Sequence, residues 1–394
     1  MRPQLCLLLV WALTAANAPA ELPLVERLAL RSYPSVFQAW SEASPLPGYD
    51  EEDMMALHDV VFLHPAAMGL ELDGRFEGLA FRFDKLDVQA AREKRSRLLA
   101  KNPRLVLLAE VHYHDASPKD FLPKDSPFWQ RDAKGKLVAG WKEGGWWMLD
   151  YEHDPWQSQV AHRAKAVMDT GVFDGIMLDW WEDDDAHLAL VKKVRAAIGE
   201  NALIMTNSNA FQIPKCAPYV NGMFMECDLT ANAKEWKDVS DTLLWAEANL
   251  RKPHVNCVET WYHKSRKDYH LMRSVTTLAL THSDGSCLFS DPNDLPTSDH
   301  LHDWYDFWNK GLGRPLHEGY LRPDGAWQRP FTGGVAVYNP EGNQPVKVVF
   351  DKPHRSRATG KSGLEHMVPA LDGDIFIHVV EAPGSAKGKK EKGR

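Results

Sequence analysis

Eight short apolar runs recur along the chain, and most of them are separated by segments long enough to hold a helix. Strand-like runs that alternate with helices predict βαβ units and a parallel sheet. Eight such units over about 280 residues match a (β/α)8 TIM barrel. The alternative is an open doubly wound sheet, but the chain has no Gly-rich dinucleotide fingerprint. The runs are SVFQAW (35–40), VVFLHP (60–65), RLVLLAE (104–110), GIMLDW (175–180), ALIMTN (202–207), GMFMEC (222–227), VNCVET (255–260) and SCLFSD (286–291).

The pattern changes near residue 315, where helical periodicity stops. The segments GGVAVYN, VKVVFD and DIFIHVV indicate short strands between Pro, Gly and Asn turns. We therefore predict a TIM-barrel domain over residues 21–314 and a small, β-sandwich-like all-β domain over residues 315–383. Residues 384–394 form a basic stretch with the composition of a flexible tail.

The first 20 residues have the pattern of a signal peptide. Arg2 precedes the apolar run LCLLLVWALTAA, and Ala18-Pro19-Ala20 fits a small-residue cleavage site. The run is shorter than the roughly 20 residues that a spanning helix needs, and no later segment qualifies. The sequence predicts a secreted or periplasmic protein with no membrane insertion of the mature chain.

The charge balance excludes two classes of partner. The formal net charge is -8, and the tail at 384–394 carries five Lys or Arg against one Glu, so the rest of the chain is more acidic still. Nucleic acids and anionic membranes both require a cationic face. We expect neither to be the main partner.

Four cysteines remain once the predicted signal peptide, which contains Cys6, is removed. In an oxidising compartment Cys216 and Cys227 are candidates for a disulfide, although four cysteines allow three connectivities. Cys257 and Cys287 lie within apolar runs, where a buried free thiol is the simpler interpretation.

Two of the apolar runs end in a carboxylate at the same spacing. In DGIMLD (174–179) and NGMFME (221–226) a glycine is followed by three apolar residues and then by Asp179 or Glu226. In a one-to-one assignment of runs to barrel strands, these are the fourth and sixth strands. Both carboxylates then lie at the C-terminal rim, where barrel enzymes have their active sites. Two carboxylates at one site can divide acid and base work, as in glycoside hydrolysis.

Other polar and aromatic residues end the remaining runs or follow them directly. Carboxylates and amides can hydrogen-bond sugar hydroxyls, and a flat indole can cover the C–H face of a pyranose. The candidate substrate contacts are Trp40, Glu110, Trp180, Trp181, Asn207, Glu259, Trp261 and Asp291.

A second constellation, AEVHYHDA, indicates different chemistry. His112 and His114 lie two residues apart at the end of a predicted strand, where a His-x-His pair can bind zinc. Such a site needs further ligands, for which His64 and His254 are the nearest candidates by strand position. Because 17 histidines make chance pairs common, the main hypothesis includes no metal and no cofactor.

The strand pair DGIMLD and NGMFME, followed by AWQRPFTGGVAVYNP, resembles the glycoside hydrolases grouped as hypothetical glycosyl hydrolase family 15. These in turn are similar to the endo-α-1,4-polygalactosaminidases. The resemblance covers about residues 30–380 and implies a barrel glycosidase whose catalytic acids are Asp179 and Glu226. Relatives often carry a small polar residue after that aspartate, whereas Trp180 and Trp181 follow it here.

The combined expectation is an exported glycosidase that acts on a polysaccharide or oligosaccharide. Asp179 is the expected nucleophile or stabilising carboxylate and Glu226 the expected general acid, with the reverse assignment left open. The alternatives are a barrel that binds carbohydrate without cleaving it and a zinc hydrolase that uses His112 and His114.

Overall fold

The computed structural model describes residues 21–72, 74–227, 230–262, 265–291 and 300–379. The predicted signal peptide (1–20) and basic tail (384–394) lie outside the described residues.

The apolar runs form one sheet of eight parallel strands in the order β1 to β8. A parallel bridge between Val36 and Cys287 joins the first strand to the last, and the Cys287 N–H donates to the Ser35 carbonyl at 3.0 Å. The sheet is therefore closed, which confirms the predicted TIM barrel. The strands are β1 Phe37–Ala39, β2 Val60–Leu63, β3 Val106–Glu110, β4 Gly175–Leu178, β5 Leu203–Asn207, β6 Gly222–Cys227, β7 Cys257–Trp261 and β8 Ser286–Ser290.

Helices surround this barrel unevenly. The connection from β5 to β6 contains only the 3-10 turn Ala217–Tyr219, and β8 is followed by the 3-10 turn Asp306–Trp308. The long connection from β3 carries a small hairpin that pairs Asp115–Ala116 with Trp147–Met148. Within the described ranges, no helix combines the length and apolar character needed to cross a membrane. The helices are α1 Leu24–Ala29, α2 Glu51–Ala56, α3 Lys85–Lys101, α4 Asp154–Asp169, α5 Asp185–Ile198, α6 Ala233–Asn249 and α7 Tyr269–His282.

Side chains at the starts of four strands bind the preceding strand. In each case the residue directly before a strand is an Asp or Asn. Its side-chain oxygen accepts a hydrogen bond from a backbone N–H in the neighbouring strand or just before that strand. These bonds satisfy donors that the barrel end would otherwise leave unpaired. The pairs are Asp59 with Val36 (3.2 Å), Asp174 with Leu107 (2.9 Å), Asn221 with Ile204 (3.1 Å) and Asn256 with Met223 (3.0 Å).

Glycine follows two of these residues because the barrel wall is tight there. A Cβ added to Gly175 would lie 2.2 Å from the Leu203 carbonyl oxygen, and one added to Gly222 would lie 2.3 Å from that of Val255. Real Cβ atoms do not approach this closely, so only glycine fits. The Asp-Gly and Asn-Gly pairs thus mark the starts of β4 and β6 for a structural reason.

The C-terminal strands form one antiparallel sheet of six strands, in the order β9-β10-β11-β14-β12-β13. The strands expected to form a sandwich-like domain therefore hydrogen-bond into a single sheet. Its long strand β12 has a register shift against β13 between Val349 and His354, and residues 354–356 also pair with β14. The strands are β9 Tyr320–Leu321, β10 Trp327–Phe331, β11 Gly334–Asn339, β12 Val346–Ser356, β13 Ser362–Val368 and β14 Asp372–His378.

This sheet lies against helix α7 of the barrel. The Arg273 guanidinium on α7 donates to both carboxylate oxygens of Asp372 in β14, at 2.7 and 2.8 Å. Arg329 in β10 donates to the Ser283 carbonyl at 2.5 Å, just beyond the end of α7. Charge-assisted hydrogen bonds of this kind fix the sheet on the barrel.

The expected disulfide between Cys216 and Cys227 is absent. Cys216 is a buried free thiol, and so are Cys257 and Cys287. Burial raises the pKa of the Cys216 and Cys287 thiols to about 12, so these groups are neutral and unreactive at ordinary pH. The prediction of a buried thiol at Cys257 and Cys287 is confirmed.

Removing Asp174 should destabilise the barrel strongly. Arg27 and Arg95 both bond its buried carboxylate, and Arg95 Nη2 donates to Oδ1 at 2.8 Å. Burial raises the pKa of Asp174, but the two guanidinium groups outweigh it and hold the pKa below its ordinary value. The Asp174→Ala change removes the buried carboxylate of this cluster and leaves Arg27 and Arg95 with Glu21, whose side chain is 44% exposed. We therefore expect the free energy of unfolding to fall by about 3–5 kcal/mol in chemical denaturation.

The exposed pair of Lys237 and Asp241 provides the control, because Asp241→Ala should cost less than about 1 kcal/mol. The contribution of Asp174 should be complete above the unfolded pKa of about 3.9 and be lost as the pH falls through the lower folded pKa. Equal costs for the two variants would contradict this account of the barrel.

Candidate functional site

The residues predicted at the C-terminal rim lie there in the structure. Glu110 ends β3, Asn207 ends β5, and Glu226 lies near the end of β6. Trp40 and Asp179 follow directly after β1 and β4. One end of the barrel thus gathers these side chains from five strands.

Asn207 joins the two carboxylates that the sequence singles out. Its Nδ2 donates a hydrogen bond to Asp179 Oδ1 at 2.7 Å and another to Glu226 Oε2 at 2.8 Å. Because both bonds start from one nitrogen atom, the two carboxylate oxygens lie within about 5.5 Å of each other. Asp179 and Glu226 therefore form one site, and Asn207 is the residue between them.

Asp179 is in a place that disfavours its charged form. Burial raises the pKa of Asp179 well above its ordinary value, and the nearby Glu226 and Glu110 carboxylates raise it further. Hydrogen bonds from Asn207 and from the backbone N–H of Trp180 oppose this shift without cancelling it. The carboxyl of Asp179 therefore holds its proton to a higher pH than an ordinary aspartate.

Trp40 lies beside the carboxylate pair at the C-terminal end of the barrel. Its indole N–H donates to Glu110 Oε2 at 2.8 Å, and its ring packs edge-on against Phe62 and Phe224. Glu110 is thereby fixed beside Asp179, and the indole N–H has a protein partner. Trp40 and Glu110 therefore border the carboxylate pair.

Glu259 does not face the open rim, which corrects the expectation that it contacts a substrate directly. Its carboxylate is 0% exposed. His300 Nδ1 lies 2.9 and 3.0 Å from the two carboxylate oxygens, and the Ser290 hydroxyl donates to one of them. The other nitrogen of His300, Nε2, lies 3.8 Å from Glu226 Oε1.

His300 is the site residue that the sequence analysis missed. It comes from the segment HLHDW (300–304) after β8, and only its position beyond the eighth strand could have indicated it. Its ring stands 5.0 Å from that of Trp40, and only 2% of its side-chain surface is exposed.

The two consecutive tryptophans after Asp179 have different environments. Trp180 is 51% exposed and stacks on the His114 ring at a centroid distance of 5.6 Å and an angle of 13°. Trp181 is buried and packs against Tyr113 and His187. Trp180 therefore remains a candidate for ligand contact, whereas Trp181 belongs to the core, contrary to the expectation.

A hydrogen-bonded chain holds Trp180 in place. The Tyr113 hydroxyl donates to the Trp180 carbonyl at 2.6 Å and lies 3.1 Å from His187 Nε2. His187 Nδ1 in turn lies 2.8 Å from Asp184 Oδ1. This support accompanies a left-handed backbone at Trp180, where φ is 53°.

Left-handed backbone recurs around the rim. Trp40, Asn209 and His300 also have positive φ angles, of 48°, 48° and 57°. Non-glycine residues pay for this conformation, and such residues cluster at functional sites. The rim is thus a strained region that the surrounding contacts hold in place.

The remaining predicted contacts are Asp291 and Trp261. Asp291 follows β8 and accepts a hydrogen bond from Arg266 Nη2 at 2.9 Å, so it is part of an ion pair. Trp261 ends β7 and is half-buried. Its indole N–H is buried and has no hydrogen-bond partner within the described part of the chain.

The zinc hypothesis receives no support from the side-chain arrangement. The His112 ring packs against Trp146 and lies 5.7 Å from the His64 ring, whereas the His114 ring stacks on Trp180 and Tyr151. His254 lies near Glu247, at 3.5 Å. Across the described ranges, no group of three or more His, Cys, Asp or Glu side chains is arranged to hold a metal ion.

Comparison with solved structures shows the same architecture. A noncanonic maltogenic alpha-amylase from Thermotoga neapolitana matches with a TM-score of 0.56 at 10% identity, covering 88% of this chain and 99% of its own. An alpha-amylase from Malbranchea cinnamomea matches with a TM-score of 0.51 at 10% identity, covering 90% and 97%. The cyclic alpha-maltosyl-(1→6)-maltose hydrolase from Arthrobacter globiformis matches with 0.51 at 11% identity, covering 89% and 99%.

At this level of identity the similarity shows the fold: a TIM barrel that continues into a C-terminal β domain. No family model matches the sequence, and no curated protein matches it either.

The raised pKa of Asp179 has a consequence for stability that requires no substrate. Above the unfolded pKa of about 3.9, ionising this carboxyl costs more in the folded protein than in the unfolded one, so stability falls as pH rises toward the folded pKa. We expect Asp179→Asn to be more stable than the wild type at pH 8, by about 1 kcal/mol or more, with the difference shrinking at pH 4.

Thermal unfolding of both proteins across this pH range measures the effect. Asp125, which is exposed, gives the control variant Asp125→Asn, for which the difference from wild type should not depend on pH. A difference for Asp179→Asn that is the same at pH 4 and pH 8 would contradict the raised pKa.

Proposed function

We propose that this protein is an exported glycoside hydrolase that cleaves a polysaccharide or oligosaccharide with Asp179 and Glu226. The observation that carries the proposal is the Asn207 amide that bonds both carboxylates at the C-terminal end of a barrel. Glycoside hydrolysis requires two such carboxyl groups, one able to donate a proton and one able to remain charged. The signal-peptide pattern at residues 1–20 supports export.

The distance between the two carboxylates supports a retaining mechanism. Retaining enzymes have carboxyl groups about 5–5.5 Å apart, whereas inverting enzymes need about 6.5–9.5 Å to admit a water molecule. The two nearest oxygens, both bonded by Asn207 Nδ2, lie within about 5.5 Å of each other, and we take this as the separation of a retaining pair. In the first step one carboxylate attacks the anomeric carbon while the other carboxyl protonates the leaving oxygen. In the second step the group that gave up its proton takes a proton from water. The water oxygen attacks the anomeric carbon, and the bond between that carbon and the nucleophilic carboxylate breaks.

The surroundings of the two groups favour the reverse of the roles expected from sequence. Asp179 is held protonated by burial and by two neighbouring carboxylates, as a general acid must be before the first step. Glu226 faces an imidazole nitrogen at 3.8 Å and accepts a hydrogen bond from Asn207, and both interactions suit an anion. We therefore assign the general acid to Asp179 and the nucleophile to Glu226.

The exposed ring of Trp180 supplies a surface for a sugar. Its indole lies next to Asp179 in sequence and is supported from behind by His114, which itself stacks on Tyr151 at 5.5 Å. A rigid aromatic platform can cover the apolar face of a pyranose at little entropic cost. We assign Trp180 to a sugar subsite beside the carboxylate pair.

The similarities of this chain in fold and in sequence motifs to other proteins favour trials of two substrate classes. Proteins with the same architecture include alpha-amylases, which supports trials of α-glucans. The DGIMLD and NGMFME motifs resemble hypothetical glycosyl hydrolase family 15 and the polygalactosaminidases, which supports trials of galactosamine-rich polymers. The carboxylates of Glu110 and Glu226 are compatible with a cationic amino sugar.

The direct test is release of reducing ends from a glycan panel that includes α-glucans and galactosamine-rich polymers. We expect wild-type cleavage of at least one polymer, with kcat/KM reduced by about 10³-fold or more in both Asp179→Asn and Glu226→Gln, because each variant lacks one of the two groups that the reaction needs.

Asp185→Asn is the matched control, since the Asp185 side chain is 91% exposed and lies in the same acidic stretch. Its activity should equal that of the wild type. Binding of a glycan without cleavage would favour a carbohydrate-binding barrel, and cleavage that a chelator abolishes would favour the zinc hydrolase. Either result would overturn the two-carboxylate proposal.

A further inference from the structure

Behind Glu226 lies a second, buried pair that the proposed reaction does not itself require. We infer that His300, oriented by Glu259 and Ser290, is a positioning residue that keeps Glu226 ionised and aimed at the anomeric carbon. This inference rests on the proposed role of Glu226, but the interaction between His300 and Glu226 can be measured without any turnover.

The geometry leaves the His300 ring little freedom. Its Nδ1 lies within hydrogen-bond distance of both Glu259 oxygens, at 2.9 and 3.0 Å, and one of these oxygens also accepts the Ser290 hydroxyl. The ring faces the Trp40 indole at 5.0 Å and an edge of Phe224 at 5.9 Å. The direction of Nε2 toward Glu226 is therefore fixed by contacts on the other sides of the ring.

The buried carboxylate of Glu259 favours a positive charge on the neighbouring His300 ring. A carboxylate that is 0% exposed is unstable in the fold unless a cation compensates it. His300 is the ring that contacts both of its oxygens, so the buried pair favours the imidazolium form, in which both ring nitrogens carry protons. The second N–H then points toward Glu226 Oε1.

Glu226 is consequently held through both of its oxygens. Asn207 bonds Oε2 at 2.8 Å, and His300 Nε2 lies 3.8 Å from Oε1. An imidazolium at this distance favours the anion through charge. Histidine residues in other functional sites are often oriented in the same way, by a carboxylate that bonds one ring nitrogen while the other nitrogen acts on the reactive group.

Other titratable groups also lie close to His300 and Glu226. Asp179 follows β4 and shares the Asn207 amide with Glu226, and its carboxyl opposes the effect of His300 only where it ionises. His302 lies on the same segment as His300, and its Nδ1 is 2.9 Å from the His300 carbonyl. Burial lowers the pKa of His302 to about 4, so this ring is neutral at ordinary pH. His302 therefore adds no charge near Glu226, and replacing His300 removes the charge of the His300 ring itself.

The test is a carboxyl titration of Glu226 by NMR in protein labelled with ¹³C-glutamate, with the signal assigned by its loss in Glu226→Gln. We expect the titration midpoint of Glu226 to rise by about 1–3 pH units in His300→Gln, because an opposite charge within about 4–6 Å is removed. Glu259→Gln should raise it in the same direction, since the imidazole loses the anion that keeps it protonated.

His317→Gln is the control, because His317 is exposed and lies outside the barrel rim. Its Glu226 midpoint should equal that of the wild type. Should either single variant fail to show a cooperative thermal transition, the double variant His300→Gln/Glu259→Gln removes both buried charges together. It should still raise the Glu226 midpoint, by less than His300→Gln alone, because the Glu259 anion that also disfavours ionisation of Glu226 is removed.

An unchanged Glu226 midpoint in folded variants would overturn the inference, whether or not the wild type cleaves any glycan. A raised midpoint together with no cleavage on the panel would uphold the contact and overturn the proposed hydrolase. For an active enzyme, the acid limb of the kcat/KM profile should move upward with the same midpoint, and a merely structural role would leave that limb in place.

Discussion

Side-chain caps at the entrance of the barrel are the interactions on which the functional end depends. Asp174 and Asn221 accept backbone N–H groups from the starts of neighbouring strands, and the glycines after them fit against adjacent carbonyls. The side-chain bonds hold the start of β4 against β3 and the start of β6 against β5, and the glycines fit β4 against β5 and β6 against the residues before β7. Because the carboxylates lie four positions beyond the glycines, fixing one end of each strand also fixes the height of Asp179 and Glu226 at the other.

The site that results is electrostatically costly. It brings the carboxylates of Glu110, Asp179 and Glu226 together, with one amide, Asn207, bonded to two of them. The neighbouring carboxylates and burial disfavour ionisation of Asp179, so the site favours a proton on that carboxyl. A protein that cleaves glycosidic bonds gains from this division, because one group must give a proton while the other attacks. His300, which is paired with the buried Glu259, carries its positive charge on the side of Glu226. It therefore favours a proton on Asp179 and not on Glu226.

The sequence predicted the fold well because its signals are local and repeated. Apolar runs followed by helical segments specify a parallel barrel, and strand alternation places Asp179 and Glu226 at one rim. Their common partner Asn207 was among the predicted residues, although the bond to both carboxylates follows only from the register of β5 with β6.

The missed features depend on contacts that sequence spacing does not encode. The left-handed φ of 53° at Trp180 breaks the strand alternation, so Trp180 is exposed while Trp181 enters the core. His300 lies 41 residues beyond Glu259 and covers it only in the folded chain. For the same reason the proximity of two cysteines in sequence did not produce a disulfide.

The central claim is that Asp179 and Glu226 act together at the distance of a retaining pair. Proton NMR of the first sugar released from a cleaved glycan tests it most directly, because the spectrum distinguishes the anomers before mutarotation. We expect the new reducing end to keep the anomeric configuration of the bond that was cleaved. Release of the inverted anomer would contradict it, since inversion requires a wider pair with a water molecule between the sugar and the base.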